Sequence, residues 1–198
     1  MSVSTKSNTV IIGTVYPKVE QYLSRYLDSL EAQSSNSFDL LLANDGFIGL
    51  EDLLSKRKLY WHILEASKTV SETRRKLINK AIEYGYSKII FSDCDDELSF
   101  NRVDILSSLL DKYVVVVNDL DIINSSNQLI EKNYLSNRFI DGESINLTKL
   151  QSGNMMGLTN TAATANALKG CVALQRGEAL AFDWYLWSTV LLMTKEAV

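Results

Sequence analysis

Four acids fall within five positions, at Asp93, Asp95, Asp96 and Glu97, directly after the apolar run Ile89-Ile90-Phe91. Carboxylates this crowded repel one another unless a cation or a hydrogen-bonding ligand offsets their charge. The segment therefore predicts a divalent metal, and all-oxygen ligation favours Mn2+ or Mg2+ over zinc. A solvated acidic loop is the bland alternative. Placement at the carboxyl end of an interior strand, where open α/β sheets bind ligands, argues for the metal. An EF-hand loop starting at Asp93 would need glycine at its sixth position, which is Leu98 here. Neither G-x-G-x-x-G nor G-x-x-x-x-G-K-[ST] occurs, so any nucleotide is bound without those loops. With the single histidine His62, the chain has no multi-histidine zinc site, and His62 reads as a structural strand residue.

The elements that must position these acids alternate in type. Asn8 to Thr14 is an apolar, β-branched run that reads as a buried strand. Val19 to Ala32 repeats apolar residues at helical spacing (Val19, Tyr22, Leu23, Tyr26, Leu27, Leu30). Phe38 to Ala43 is a second strand, closed by the turn signal Asn44-Asp45-Gly46. Leu59 to Leu64 predicts a short strand, Ser71 to Tyr84 a helix stopped by Gly85, and Lys88 to Ser92 the strand that delivers the acids. Asn101 to Leu110 reads as helix, and Tyr113 to Val117 as wholly interior. Periodicity weakens from Asn118 to Lys149, while Thr161 to Leu168 and Asp183 to Met193 read as helices. Such alternation predicts a mostly parallel central sheet with helices on both faces.

Composition narrows the class further. A chain of 198 residues, 46% hydrophobic and 22% charged, fits one globular domain with a real core. A formal charge of -4 and no basic run longer than Lys56-Arg57-Lys58 argue against a nucleic-acid grip. The two cysteines, Cys94 and Cys171, suit a reduced, cytoplasmic protein, since Cys94 sits inside the acidic cluster. No stretch approaches the roughly 20 apolar residues of a membrane span.

Several motifs, in order, resemble the family 2 glycosyltransferases, A-type enzymes related to the spore-coat polysaccharide transferase and to chondroitin- and hyaluronan-type synthases. Thr14-Val15-Tyr16 looks like the family's first strand and loop, near the uracil. Gln33 with Phe38 to Gly46 resembles "Q…FELIIVDDGS", whose second Asp reads the base and is Asp45 here. Arg74-Arg75, with Ala81 beyond, resembles the "ARN…A" helix, and Ile89 to Asp96 resembles "FLDSDD". Phe182-Asp183-Trp184-Tyr185-Leu186-Trp187 resembles "ED-W-x-L-W". Asn160-Thr161-Ala162 resembles an acceptor-side loop.

The resemblance implies a Rossmann-like, A-type fold in which residues 1–118 bind the nucleotide sugar. Residues 119–198 would then form the acceptor-side half of the same domain, either compact or truncated at the C-terminus. It implies an inverting transfer from a nucleoside-diphosphate sugar, with UDP-sugar the expected donor, to a carbohydrate or other hydroxyl acceptor in polysaccharide or glycoconjugate synthesis. Thr14, Tyr16, Asp45, Arg74, Asp93 and Asp95 would bind the nucleotide sugar, Asp95 and Asp96 would handle the metal, and Asp183 would be the general base. Asp45 can accept the uracil ring N–H, and Arg74 can offset charge near the diphosphate or the acids. Departures from the family pattern are Asn44 for Asp, Phe47 for Ser and Phe182 for the acid before the base.

Bland readings stand beside these. Asp45 is also a turn residue, Arg74 a surface ion-pair partner for Glu72 or a neighbour, Asp183 a helix N-cap, and Trp184 and Trp187 core aromatics rather than a sugar platform. A haloacid dehalogenase-type phosphotransferase is the rival enzyme, because Asp93-x-Asp95 follows a strand, although Glu97 occupies that pattern's Thr or Val position. A module that binds nucleotide sugar without transferring it is the rival outside enzymes.

Overall fold

The apolar runs become strands because both of their faces are buried. A computed structural model describes residues 7–137, 139–174, 179 and 181–198. In it β1 (Thr9–Val15), β2 (Asp39–Asn44), β3 (Trp61–Glu65), β4 (Lys88–Phe91) and β5 (Val115–Val117) share one sheet. Between and after them run α1 (Glu20–Glu31), entered through a short 3-10 turn at Pro17–Val19, α2 (Leu50–Leu54), α3 (Val70–Glu83) and α4 (Arg102–Leu109). The later part adds the hairpin β6 (Ile122–Ile123) and β7 (Leu129–Glu131), then α5 (Leu147–Ser152), β8 (Thr161–Thr164), α6 (Ala165–Leu174) and α7 (Phe182–Thr194).

The six-stranded sheet has the order β3-β2-β1-β4-β8-β5. β1 pairs in parallel with β2 and β4, and β2 with β3, while β8 runs antiparallel to both β4 and β5. Successive side chains on β1 leave the sheet in opposite directions. Val10 and Ile12 join a core with Leu77 and Ile78 of α3, Leu168 of α6 and Trp187 of α7. Ile11 joins the other core, with Leu23 and Leu27 of α1, Leu54 of α2 and Leu106 of α4. Each fully buried Leu or Ile is favoured by about 1.5–3 kcal/mol over an exposed one. Two helix layers on one mostly parallel sheet are the arrangement that the alternating elements predicted.

Two expectations need correction. The segment Thr161 to Leu168 is not one helix: Thr161–Thr164 is strand β8, and the helix begins at Ala165. Alanines are permissive, and here the gap between β4 and β5 supplies partners for both edges of the segment, so tertiary pairing overrides helix propensity. Nor is all of Tyr113 to Val117 interior, because Tyr113 and Val114 are 40% and 45% exposed and only the strand residues after them turn inward. His62 lies mid-strand in β3, between the rings of Tyr60 and Tyr84 at 5.1 Å each, as a structural residue should. Both cysteines are free and buried, and among the described residues no helix is long and apolar enough to cross a membrane.

Candidate active site

Parallel strands that end together leave their carboxyl ends as one rim, and the loops after β1 to β4 form a cavity of about 490 Å³ there. Thr14, Tyr16, Asp45, Arg74, Asp93 and Asp95 all line it. The partner of Arg74 is Asp93 rather than Glu72: its Nη2 lies 3.8 Å from Asp93 Oδ1, across the cavity wall from α3. Asp45 is exposed at the turn after β2, with its backbone N–H donating to the Val15 carbonyl at 2.8 Å. Asn44, where the family pattern has Asp, braces that turn. Its amide donates to the Phe47 carbonyl at 2.9 Å, and its Oδ1 accepts from the Phe47 N–H at 2.8 Å. An Asp at this position would lose the first of these bonds.

The acidic segment fans out rather than converging. Asp93 and Asp95 face the cavity, and the Tyr16 hydroxyl donates to Asp95 Oδ2 at 3.2 Å. Asp96 turns aside and accepts from the Thr159 hydroxyl, and Glu97 turns outward to Arg25 at 3.3 Å. Burial pushes the Asp93 carboxyl up to about 6; Asp96, Asp95 and Asp183 add to the rise, and Arg74 opposes it. Burial also raises Asp96, against the Thr159 hydrogen bond. The crowding is thus relieved partly within the protein, by Arg74, Thr159 and Arg25, so a cation is not required to explain it. Among the described residues no three His, Cys, Asp or Glu side chains converge into a cage. The donor set nonetheless fits Mg2+ or Mn2+, which commonly use one or two carboxylates and take the remaining ligands from phosphate and water.

Chain geometry beneath the loop explains how the acids reach the rim. Gly13 on β1 lies against the start of the acidic loop, where an added Cβ would meet Cys94 Sγ and the Ser92 carbonyl at 3.0 Å each. Buried Tyr26 of α1 shares a hydrogen bond of 2.7 Å with the Ser92 hydroxyl. Arg102, 7% exposed at the start of α4, donates to the Phe91 carbonyl at 3.0 Å from below, and burial lowers its guanidinium to about 10.

Asp183 is not an N-cap. Ala181 occupies that position, and Asp183 lies in the first turn of α7. Its Oδ2 accepts from Asn154 Nδ2 at 3.1 Å, and its field reaches Asp93. Trp187, on the same helix, is fully buried against Phe91 at 5.2 Å between ring centroids, while Trp184 is 38% exposed. Asn160, Thr161 and Ala162 are buried, so they form no acceptor-side surface loop.

Sequence reasoning missed Ser67, Lys68, Thr69 and Thr73, which form the cavity wall after β3. Thr69 caps α3 by accepting from the Glu72 N–H at 3.2 Å, and Thr73 folds the loop back by accepting from the Ser67 N–H at 2.9 Å. A Ser/Thr-rich stretch before a helix reads as capping. Its position after a parallel strand was the signal that could have marked it as cavity wall.

No protein-family model and no curated protein matches the sequence. Solved structures do match in fold. TarS 1-349 of S. aureus in complex with UDP-GlcNAc superposes with a TM-score of 0.69 at 14% identity, over 92% of this chain and 53% of that one. Mannosyltransferase PcManGT from Pyrobaculum calidifontis, in complex with GDP-Man and Mn2+, gives 0.64 at 11% identity, over 98% and 55%. The 4-diphosphocytidyl-2C-methyl-D-erythritol synthase of Anaerococcus prevotii gives 0.58 at 11%, over 96% and 85%. The chain thus spans about half the length of the two transferases. Its mostly parallel six-stranded sheet, flanked by helices, is the fold of the A-type glycosyltransferases.

Proposed function

We propose that the chain is the donor-binding and transfer region of an inverting glycosyltransferase that uses a nucleoside-diphosphate sugar, with UDP-sugar the favoured donor. One observation carries the reading: residues from four separated motifs, Thr14 and Tyr16, Asp45, Arg74, and Asp93 with Asp95, line one cavity. In this reading Asp45 accepts the uracil ring N–H, Asp95 the ribose hydroxyls, and Arg74 faces the diphosphate side. The likeness to TarS in complex with UDP-GlcNAc and to PcManGT with GDP-Man and Mn2+ supports a nucleotide sugar in general.

Transfer needs a base near the reacting carbon, and Asp183 is assigned that role. It lies in the first turn of α7, and the Asn154 amide, donating to Oδ2 at 3.1 Å, fixes its orientation. Asp183 takes the proton of the acceptor hydroxyl as that oxygen bonds to the anomeric carbon. The bond from that carbon to the diphosphate breaks, the electron pair leaves with the diphosphate, and the configuration inverts. Asp95 and Asp96 would hold Mn2+ or Mg2+, which when bound would supply Lewis-acid stabilisation of the diphosphate charge. The acceptor is a hydroxyl compound, and the pathway polysaccharide or glycoconjugate synthesis.

Isothermal titration with Mn2+ present should show UDP binding more tightly than ADP or GDP; equal affinities would remove the assignment of Asp45. Asp183→Asn should lower kcat by about 10²–10⁴-fold with donor affinity retained. Near-normal turnover would exclude Asp183 as the base. The likeness to the cytidylyl synthase, which covers 85% of that chain, makes pyrophosphate release from CTP and a sugar phosphate the rival readout. UDP binding with no transfer to a broad acceptor panel would instead indicate a binding module. The phosphotransferase alternative wants its Asp-x-Asp on the opening strand, and β1 carries no acid.

A further inference from the structure

The segment between α5 and β8 touches two acids that flank the cavity without lining it, Asp183 and Asp96. At its start Asn154 donates to Asp183, and five residues later the Thr159 hydroxyl donates to Asp96 Oδ2. This segment is held firmly. Buried Asn160 accepts from the Gly157 N–H at 2.8 Å and donates to the Met155 carbonyl at 2.9 Å, while Met155, Met156 and Leu158 pack into the core. Beneath it Arg102 Nη2 donates to the carbonyls of Thr159 at 2.7 Å and Phe91 at 3.0 Å, and its Nε donates to Asn118 Oδ1 at 3.0 Å. Among the described residues no carboxylate lies within ion-pair distance of this guanidinium. Burying a cation on neutral acceptors is costly. Here the charges of Asp96 and Asp93 partly offset the cost, and the guanidinium ties together the last residue of β4, the residue after β5, and Thr159.

We propose that Thr159 and Arg102 are positioning residues for the divalent cation. Arg102 fixes the Thr159 backbone, and the Thr159 hydroxyl engages Asp96 Oδ2, so that Oδ1, which no described protein donor holds, is left for the ion. This rests on the metal-assisted reading above, and it selects Asp96 as the acid oriented before the cation arrives. Partners that orient a ligating carboxylate typically change metal affinity by about 10–100-fold when removed. A partner serving only the fold would change the melting temperature and leave that affinity alone.

The test is Mn2+ binding to the full chain, followed by electron paramagnetic resonance of the free ion, with and without UDP. Thr159→Val keeps the shape and removes the hydroxyl. It should weaken Mn2+ binding by about 10–100-fold, leave UDP affinity without metal unchanged, and be rescued by Thr159→Ser. Arg102→Gln, checked for folding by circular dichroism, should weaken Mn2+ in the same direction. Wild-type Mn2+ affinity in Thr159→Val, or an equal loss in Thr159→Ser, would overturn the proposal and leave the metal reading standing. No Mn2+ binding to the wild-type chain, with or without UDP, would overturn both.

Discussion

Asp93 carries the clearest electrostatic signature of any residue at the rim. Burial holds its carboxyl up to about 6 in the folded chain, against an unfolded value of about 3.9. A raised folded pKa means that the fold prefers the protonated form. Its contribution to stability is therefore complete below the unfolded value and is lost as pH rises through about 6. Asp93→Asn keeps the shape and removes the ionisation, so its stability relative to wild type should improve from pH 4 to pH 7 when both are unfolded in urea. A gap that is the same at both pH values would show that Asp93 is an ordinary solvated carboxyl. Residue types and spacing singled out the acidic cluster with Asp93 and Asp95, while Asp45 and Arg74 were visible only through the resemblance to the family 2 glycosyltransferases; all four line the cavity at the strand ends. The directions of Asp96 and Glu97 were not legible. Beyond the strand end the chain has no fixed period, and only partners distant in sequence, Thr159 and Arg25, decide where those two acids point.

Elements show the same division between local and distant causes. β1 to β4 were readable as apolar runs and α1 and α3 as apolar repeats, because burial leaves its period in the sequence. β8 was not readable: Thr161–Thr164 is a strand only because β4 and β5 flank it, and nothing local says so. Gln33 lies between these cases. Its place in a family-like motif was visible, but its work was not. Buried at the end of α1, its Nε2 donates to the carbonyls of Ser29 at 3.0 Å and Ser99 at 2.8 Å, and its Oε1 accepts from the Val103 N–H at 3.0 Å. It thereby ties α1 to the start of α4, the helix that carries Arg102. Gln33→Ala leaves the Val103 N–H without that partner in a buried setting, which costs about 1–3 kcal/mol. Urea unfolding should show a loss in that range; a change below about 0.5 kcal/mol, as at ordinary surface positions, would mean that the bridge is dispensable.

At the scale of the whole molecule the decisive fact is that the cavity belongs to no single element. Its walls come from the chain after β1, β2, β3 and β4 and from α3, so a ligand that fills it bridges most of the sheet's carboxyl rim. The net charge of -4 gives little attraction for a diphosphate, and Lys68 and Arg74 are the basic residues that line the cavity; in the proposed reading a cation would add to them. Anything that binds the folded chain alone raises its stability by mass action, about 2.7 kcal/mol at a free ligand concentration of one hundred times Kd. For a domain of this size that corresponds to a rise in Tm on the order of 5–10 °C. A thermal-shift panel should therefore show UDP and UDP-sugars with Mn2+ near that size, the same ligands without Mn2+ well below it, and ADP smaller than UDP in both conditions. A shift with UDP that ignores Mn2+ would leave the Asp45 end of the cavity as the binding determinant and remove the cation from the donor complex. Equal shifts for UDP and ADP would mean that the rim recognises phosphate alone, because the uracil ring N–H would then have no reader at Asp45.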